Sequence, residues 1–409
     1  MLENHRIICF APSDWWGMNP SCTTHIMRKL AAKNKILYIN PFGSDLLGGL
    51  KRKKGLTARI ARKLKSIVKC LRQPEKNLYV FSPVFLPLQG KTAIDVVNNA
   101  LLKLQIKMVC WLTGLSKPTM LWLENIRAAD IMNCFGPVFK IYNVSDLFAN
   151  SSYIANQQIQ RQWENRIFQE SDLVICVSKE LYAMKRAERE NVFYVPHGVD
   201  FDLFQQAAQR KDEKFKELAD VRRPIAGYFG TLTAHNDIEL LLWCAHNLPD
   251  VSFVFAGQIT GGDYSELKKL DNVYFLGRIP YEKIPQLCVN FDVCMLQWKM
   301  SKWIESCNPL KMFEYMASGK PIVSVAIKEA MQYANVISMA HNKEEFCKAI
   351  HWELQNDTKE RSQRRIEIAA KHCWDNQIEK ISDLIIQTMA AKHTKKEKAS
   401  LVTDRSAVR

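Results

Sequence analysis

The chain has 409 residues, 47% hydrophobic and 24% charged, with a formal net charge of +15. That is too long for one comfortable core and suits a globular protein of two domains. No apolar run in it reaches the roughly 18 uncharged residues of a membrane span.

Taken in chain order, Met1 to Arg6 lacks the basic region, apolar core and cleavage site of a signal peptide and runs directly into a strand-like segment. A cytosolic chain is expected. Short apolar strands are predicted over Arg6 to Phe10, Ile36 to Ile39, Leu78 to Phe81, Thr119 to Leu123, Phe139 to Tyr142, Leu173 to Val177 and Phe193 to Val195. Between the second and third of these, Lys51 to Arg72 contains no acidic residue. Leu56, Ile60, Leu64, Ile67 and Leu71 recur there at helical spacing, with Arg59, Arg62, Lys63, Lys65 and Lys69 on the remaining arc. A basic helix with an apolar stripe suits an anionic membrane surface; a solvated helix packed on its own domain is the plainer reading. Nucleic acid is not expected as a partner, since the segment holds no aromatic residue and no nucleic-acid motif occurs elsewhere. Val96 to Leu115 is interrupted by Asn98, Asn99, Lys103, Gln105 and Lys107, and reads as a partly buried amphipathic helix.

A second strand series follows: Ile225 to Phe229, Ser252 to Ala256, Val273 to Leu276, Val293 to Leu296 and Ile322 to Val325, alternating with helices such as Asp237 to Asn247. Strands alternating with helices in two series predict an α/β protein with two Rossmann-like, doubly wound parallel sheets facing a cleft. Pro196-His197-Gly198-Val199-Asp200 divides them, with His197 read as a structural cap. Neither half holds Gly-x-Gly-x-x-Gly, which argues against a nicotinamide cofactor. The twelve cysteines are scattered with no Cys-x-x-Cys pair, as reduced core thiols would be, and no metal site is expected. Trp374 to Met389 has helical periodicity, and Ala391 to Arg409 is basic, polar and expected to be disordered.

Residues 305–325 say most about chemistry. A polar loop, Ser306 to Asn308, enters a short helix carrying Lys311 and Glu314 about one turn apart; Gly319 ends it and a strand begins at Ile322. A carboxylate there can accept from a vicinal diol, while an ammonium and a helix N-terminus favour an anion. An ordinary surface ion pair is the plainer reading of the same spacing.

Asn308-Pro309-Leu310-Lys311 followed by Glu314-Tyr315-Met316-Ala317-Ser318-Gly319-Lys320-Pro321 resembles the donor segment of retaining GT-B glycosyltransferases of the family-4 type, in the branch of teichuronic-acid-type polysaccharide transferases. Other matches follow in order: Asp14-Trp15-Trp16 with His25, Tyr142 to Asp146, Ser171-Asp172-Leu173-Val174 with Ser178, Pro196 to Asp200, Gly227-Tyr228-Phe229-Gly230, and Phe275-Leu276-Gly277-Arg278. The resemblance implies residues 1–197 as acceptor domain and 198–373 as nucleotide-sugar domain. A helix over 374–391 would return to the first domain, ahead of a basic tail at 392–409. It implies a nucleotide-diphosphate sugar as donor substrate, no cofactor, no obligatory metal, and a glycan or lipid-linked acceptor. Such an enzyme would work in the cytoplasm, on the inner face of the membrane, with residues 51–72 as the contact to anionic lipid.

The same resemblance implies roles. Glu314 would take the ribose hydroxyls, with Ser306 where the family's first Glu stands. Many relatives carry an Arg and a Lys after the first glycine loop; here those positions are Thr231 and Asp237. The loop amides from Gly230 to Leu232, with Lys311 and Arg278, would then hold the diphosphate. His235, Asn236 and Asn308 would face the donor, and Gly17 would let its loop approach it. Asp14, His25 and Asp146 are the candidates for acceptor chemistry, with Glu124 a further one beyond the strand Thr119 to Leu123; for Asp146 a helix cap is the plain reading. The rivals are a sugar-nucleotide epimerase of the same form and a non-catalytic relative that binds a partner or glycan.

Overall fold

The structure is a computed structural model that describes residues 1–17, 19–42, 70–85, 92–147, 157–210 and 213–406. The chain forms two compact units. The first comprises Met1–Val177, Leu181–Val195 and Ile378–Arg409; the second comprises Ser178–Glu180 and Pro196–Gln377.

The first unit is built on β1 (Arg6–Phe10), β2 (Lys35–Ile39), β3 (Leu71–Glu75), β4 (Leu78–Phe81), β5 (Met120–Leu123), β6 (Phe139–Val144), β7 (Leu173–Cys176) and β8 (Val192–Tyr194). They form one sheet in the order β3-β4-β2-β1-β5-β6-β7-β8, and every pairing is parallel except β3 with β4. Central strands such as Met120-Leu121-Trp122-Leu123 are buried on both faces, which is why they read as unbroken apolar runs. Ile8, Phe10, Leu37, Leu121 and Tyr142 lie in its core.

The second unit holds β9 (Ile225–Phe229), β10 (Ser252–Ala256), β11 (Val273–Gly277), β12 (Val293–Leu296), β13 (Ile322–Val325) and β14 (Ser338–Ala340), all parallel, in the order β11-β10-β9-β12-β13-β14. From β9 the chain winds outward through β10 and β11, then restarts on the other side of β9 with β12. Such a switch point opens a crevice at the carboxyl ends of the two central strands. The first sheet has the same feature between β1 and β5.

Each expected strand forms, within two residues of its expected bounds. The three-residue β14 is too short to leave a period in sequence. The basic helix expected over Lys51 to Arg72 lies outside the described residues up to position 69, and its last residues are a correction: Leu71 and Arg72 belong to β3. Pro74 has no amide to continue a helix, and Asn77 at φ 63° turns the chain back into β4. The expectation of disorder after Ala391 is also corrected, because the final helix runs from Trp374 to Ser406. Ala, Lys and Glu are good helix formers, and extending an existing helix needs no new nucleus. No described helix is long and apolar enough to cross a membrane.

Gly227 shows how closely the second sheet is covered. A Cβ built there would stand 2.2 Å from the ring of Phe291. Gly227→Ala should therefore cost roughly 2 kcal/mol or more through forced displacement of a buried ring. Urea unfolding of the variant checks it; an unchanged midpoint would mean that the ring moves freely.

Candidate functional site

In the second unit, the helix Leu310–Ala317 starts after Pro309, in extended backbone, and stops at Ser318 and Gly319, whose φ is 68°. Lys311 lies in its first turn, and its side chain crosses the loop that follows β9. A Cβ on Gly230 would meet Lys311 Cε at 2.2 Å, and the φ of Gly230 is 130°, so position 230 demands glycine twice over. The Lys311 ammonium stands 5.6 Å from the ring centroid of Tyr228 and 5.8 Å from that of Trp298. These rings lie in or just past β9 and β12, the two strands of the switch point. Aromatic faces attract a cation without neutralising it.

Glu314, one turn on, is only 4% exposed. Burial pushes its carboxyl up to about 7; Lys311 opposes that rise, Asp200 adds to it, and Tyr281 opposes it by a side-chain hydrogen bond. A buried carboxylate near half-ionisation at neutral pH is poised to gain from hydroxyl donors, which favour its charged form.

The loop after β9 differs from expectation. Gly230 N donates to Ala256 O (2.8 Å) and Leu232 N to Gln258 O (3.0 Å), so two of the three amides expected to cradle an anion are spent on the segment at the end of β10. Parallel pairing continues past the strand end because Gly257 lets the two loops meet, with its Cβ position 1.9 Å from Gly230 O. Among the described residues, the Thr231 amide has no main-chain acceptor. Asp237 caps the helix Ile238–Asn247 by accepting from Leu240 N.

The other expected donor residues divide. His235 is exposed and lies on Trp303, ring centroids 4.7 Å apart. Asn236 is buried and organises its loop, Oδ1 accepting from Thr233 N (2.8 Å) and the Tyr264 hydroxyl (3.2 Å). Ser306 closes the short helix Lys302–Glu305, its hydroxyl donating to Trp303 O at 2.9 Å. Asn308 is buried immediately before the Lys311 helix. Arg278 follows β11 at the sheet edge, exposed and two strands away from β9. His197 is held neutral, as burial brings it down to about 4.

In the first unit, the switch point between β1 and β5 carries a buried carboxylate. Glu124, 1% exposed at the end of β5, accepts from Trp122 Nε1 (2.6 Å), Thr23 Oγ1 (2.7 Å) and Asn143 Nδ2 (2.8 Å). Burial raises its pKa and the three donors oppose the rise. Asp146, half-buried just past β6, is pushed up to about 7 by burial and by the charge of Glu124. His25 sits two residues after Thr23 in the first turn of the helix Cys22–Ala31. Burial first, then Arg28 and Lys29, bring it down to about 4, so it is neutral at neutral pH. Asp14 has a structural job: its carboxylate accepts from Trp16 N (2.9 Å) and its carbonyl from Gly17 N (2.9 Å). Gly17 is needed because a Cβ would approach Asp14 O at 2.8 Å.

Sequence reasoning missed Tyr281 and Asp200 beside Glu314, and the rings of Tyr228 and Trp298 beneath Lys311. It also missed the donors around Glu124. Thr23 and Glu124 are 101 positions apart, and no local pattern links them.

Residues 209–372 match the family Glycosyl transferases group 1. The second unit is a group 1 glycosyltransferase domain. The chain is also 30% identical over 197 residues, 45% of its length, to a Bacillus subtilis (strain 168) protein named as the teichuronic acid biosynthesis glycosyltransferase TuaH. That match spans 49% of the relative, about half its length. Among solved structures, Anabaena HepE in complex with UDP and glucose matches with TM-score 0.62 at 14% identity, over 94% of this chain and 99% of that one. Sucrose-phosphate synthase from Thermosynechococcus elongatus matches with TM-score 0.65 at 14% identity, over 94% and 99%. These likenesses establish the fold as GT-B. The Lys311–Glu314 helix and Ser306 fall inside the group 1 domain; Asp14, His25 and Asp146 lie outside it.

Glu314 makes the stability of the ligand-free protein pH-dependent in a definite direction. Its folded pKa of about 7 lies above the ordinary carboxyl value of 4.5, so the folded state holds the extra proton between those values. Stability is then lost as pH rises from 4.5 through 7. Glu314→Gln should remove that loss, leaving the variant more stable than wild type at pH 8 by up to about 3 kcal/mol and close to it at pH 4.5. Denaturant unfolding at the two pH values measures the difference; an equal offset at both would deny the buried-carboxylate account.

Proposed function

We propose that this chain transfers a sugar from a nucleotide-diphosphate sugar to a polysaccharide or lipid-linked acceptor, with retention of configuration and without an obligatory metal. The observation that carries the reading is the Lys311 ammonium laid across Gly230 with the buried Glu314 one turn away. A ribose presents two adjacent hydroxyls, and Glu314 accepts both once it is ionised. The diphosphate then meets Lys311, the N-terminal turn of the Leu310–Ala317 helix and the Thr231 amide. Charge builds on the leaving diphosphate as the glycosidic bond breaks, and Lys311 stabilises it there. HepE, solved with UDP-glucose, shares this fold, which favours a nucleotide sugar as donor.

We assign the acceptor to the first unit, at the carboxyl ends of β5 and β6. Asp146 is the group we place against the acceptor hydroxyl: near pH 7 it exists in both forms and can take a proton as the oxygen attacks. Neutral His25 serves as a hydrogen-bond partner for the acceptor, and Glu124 holds the surrounding strands and helix in register. Work in the cytoplasm, on the inner face of the membrane, fits a lipid-linked acceptor.

Purified protein should gain thermal stability from one class among UDP-, GDP-, ADP- and dTDP-sugars without added metal, by about 2.7 kcal/mol at a concentration of 100 Kd. Silence across the panel would remove the donor reading. Affinity for the active nucleotide should rise as pH increases through about 7 and Glu314 ionises. Glu314→Gln should weaken it about tenfold or more and flatten that pH dependence. Asp146→Asn should leave nucleotide binding intact while transfer falls about 100-fold or more; parallel loss of both would place Asp146 in donor binding instead.

A further inference from the structure

The helix Thr92–Leu112 is apolar on two opposite faces. One face, with Leu102, Ile106, Val109 and Cys110, is buried in the first unit. The other exposes Val97 (48%), Leu101 (40%), Leu104 (67%), Met108 (55%) and Trp111 (73%). Steps of four, three, four and three residues put these five on one continuous stripe. Lys103 and Lys107 border it on one side. The helix's single acidic residue, Asp95, is nine positions from Leu104 and so points roughly opposite the stripe. The far border is occupied by Gln105, which donates to Val84 O at 2.7 Å and accepts from Val84 N at 3.0 Å.

We infer that this stripe is an in-plane docking surface for an anionic lipid bilayer. A bilayer accepts an apolar stripe of any shape, takes up a tryptophan at its interfacial depth, and attracts lysines along the edge. No carboxylate on the stripe opposes negative headgroups, and the chain's charge of +15 adds long-range attraction. The helix lies in the surface and does not cross, since its other face is committed to the protein core. A second copy of the chain suits the stripe poorly. From Val97 to Trp111 it is roughly 20 Å long, and a helix-wide contact of that length covers about 200 Å², against about 800 Å² per partner in a stable dimer. Two copies would also bring lysine-bordered stripes together. The inference stands on the helix surface alone and is independent of the donor site.

The test is co-sedimentation of the full chain with vesicles of phosphatidylcholine, pure or mixed with phosphatidylglycerol, beside a Leu104→Glu/Met108→Glu variant. Both residues are exposed, so the melting temperature of the variant should stay that of wild type; Leu104→Ser/Trp111→Ser serves as a second pair. The expected result is wild-type binding to the mixed vesicles and a fall of about tenfold or more in partition for either variant. Wild type left in the supernatant overturns the inference, as does a variant that binds as tightly as wild type. A wild-type dimer in solution that the variants dissociate, with no lipid binding, would name a second copy as the occupant and overturn it too.

Discussion

The second unit depends on a lysine side chain laid over a glycine. Lys311 reaches across the loop after β9 only because position 230 has neither a Cβ nor an ordinary φ. The loop in turn holds its path because Gly257 lets two backbones touch, and because Gly230 N and Leu232 N pair onward beyond the strand. The ammonium is held against two aromatic rings, an arrangement that keeps its charge available to an anion. Glu314 is carried by the same helix and shares the same desolvated environment. Its raised pKa is the cost of burying a carboxylate where, among the described residues, Lys311 and Tyr281 support its charge and Asp200 opposes it.

The first unit solves a related problem differently. Glu124 is buried more completely, yet three donors converge on it from β5, β6 and the first helix, which makes it a structural tie. Asp146, just past β6, holds its proton to higher pH, through burial first and the charge of Glu124 second. Two carboxylates in one neighbourhood thus acquire different environments from different partners.

How much of this was legible depends on the range of the interaction. The strands were readable because parallel strands buried on both faces must be apolar throughout, as in Val293-Cys294-Met295-Leu296. Lys311, Glu314 and the stop at Gly319 were readable because helix periodicity and glycine's αL preference act over a few residues. The anion loop was misjudged: whether Gly230 N faces a ligand or Ala256 O depends on a strand about 25 residues away. The Ser306 hydroxyl donates to Trp303 O and Asp237 caps a helix, since short polar side chains satisfy local backbone first.

By itself the sequence determined the α/β class, the two sheets, the division near residue 196 and the helix that presents a cation and a carboxylate together. These follow from periodicity, chain stereochemistry and local capping, which neighbours in sequence decide. Only the tertiary structure decided which amides remain open, how far Glu314 and Asp146 are desolvated, and that Tyr281, Asp200 and Trp298 stand beside the key side chains. It also decided that one of the two apolar faces of Thr92–Leu112 is left uncovered. Desolvation and burial depend on what packs from distant parts of the chain, and that information exists only once the core has formed.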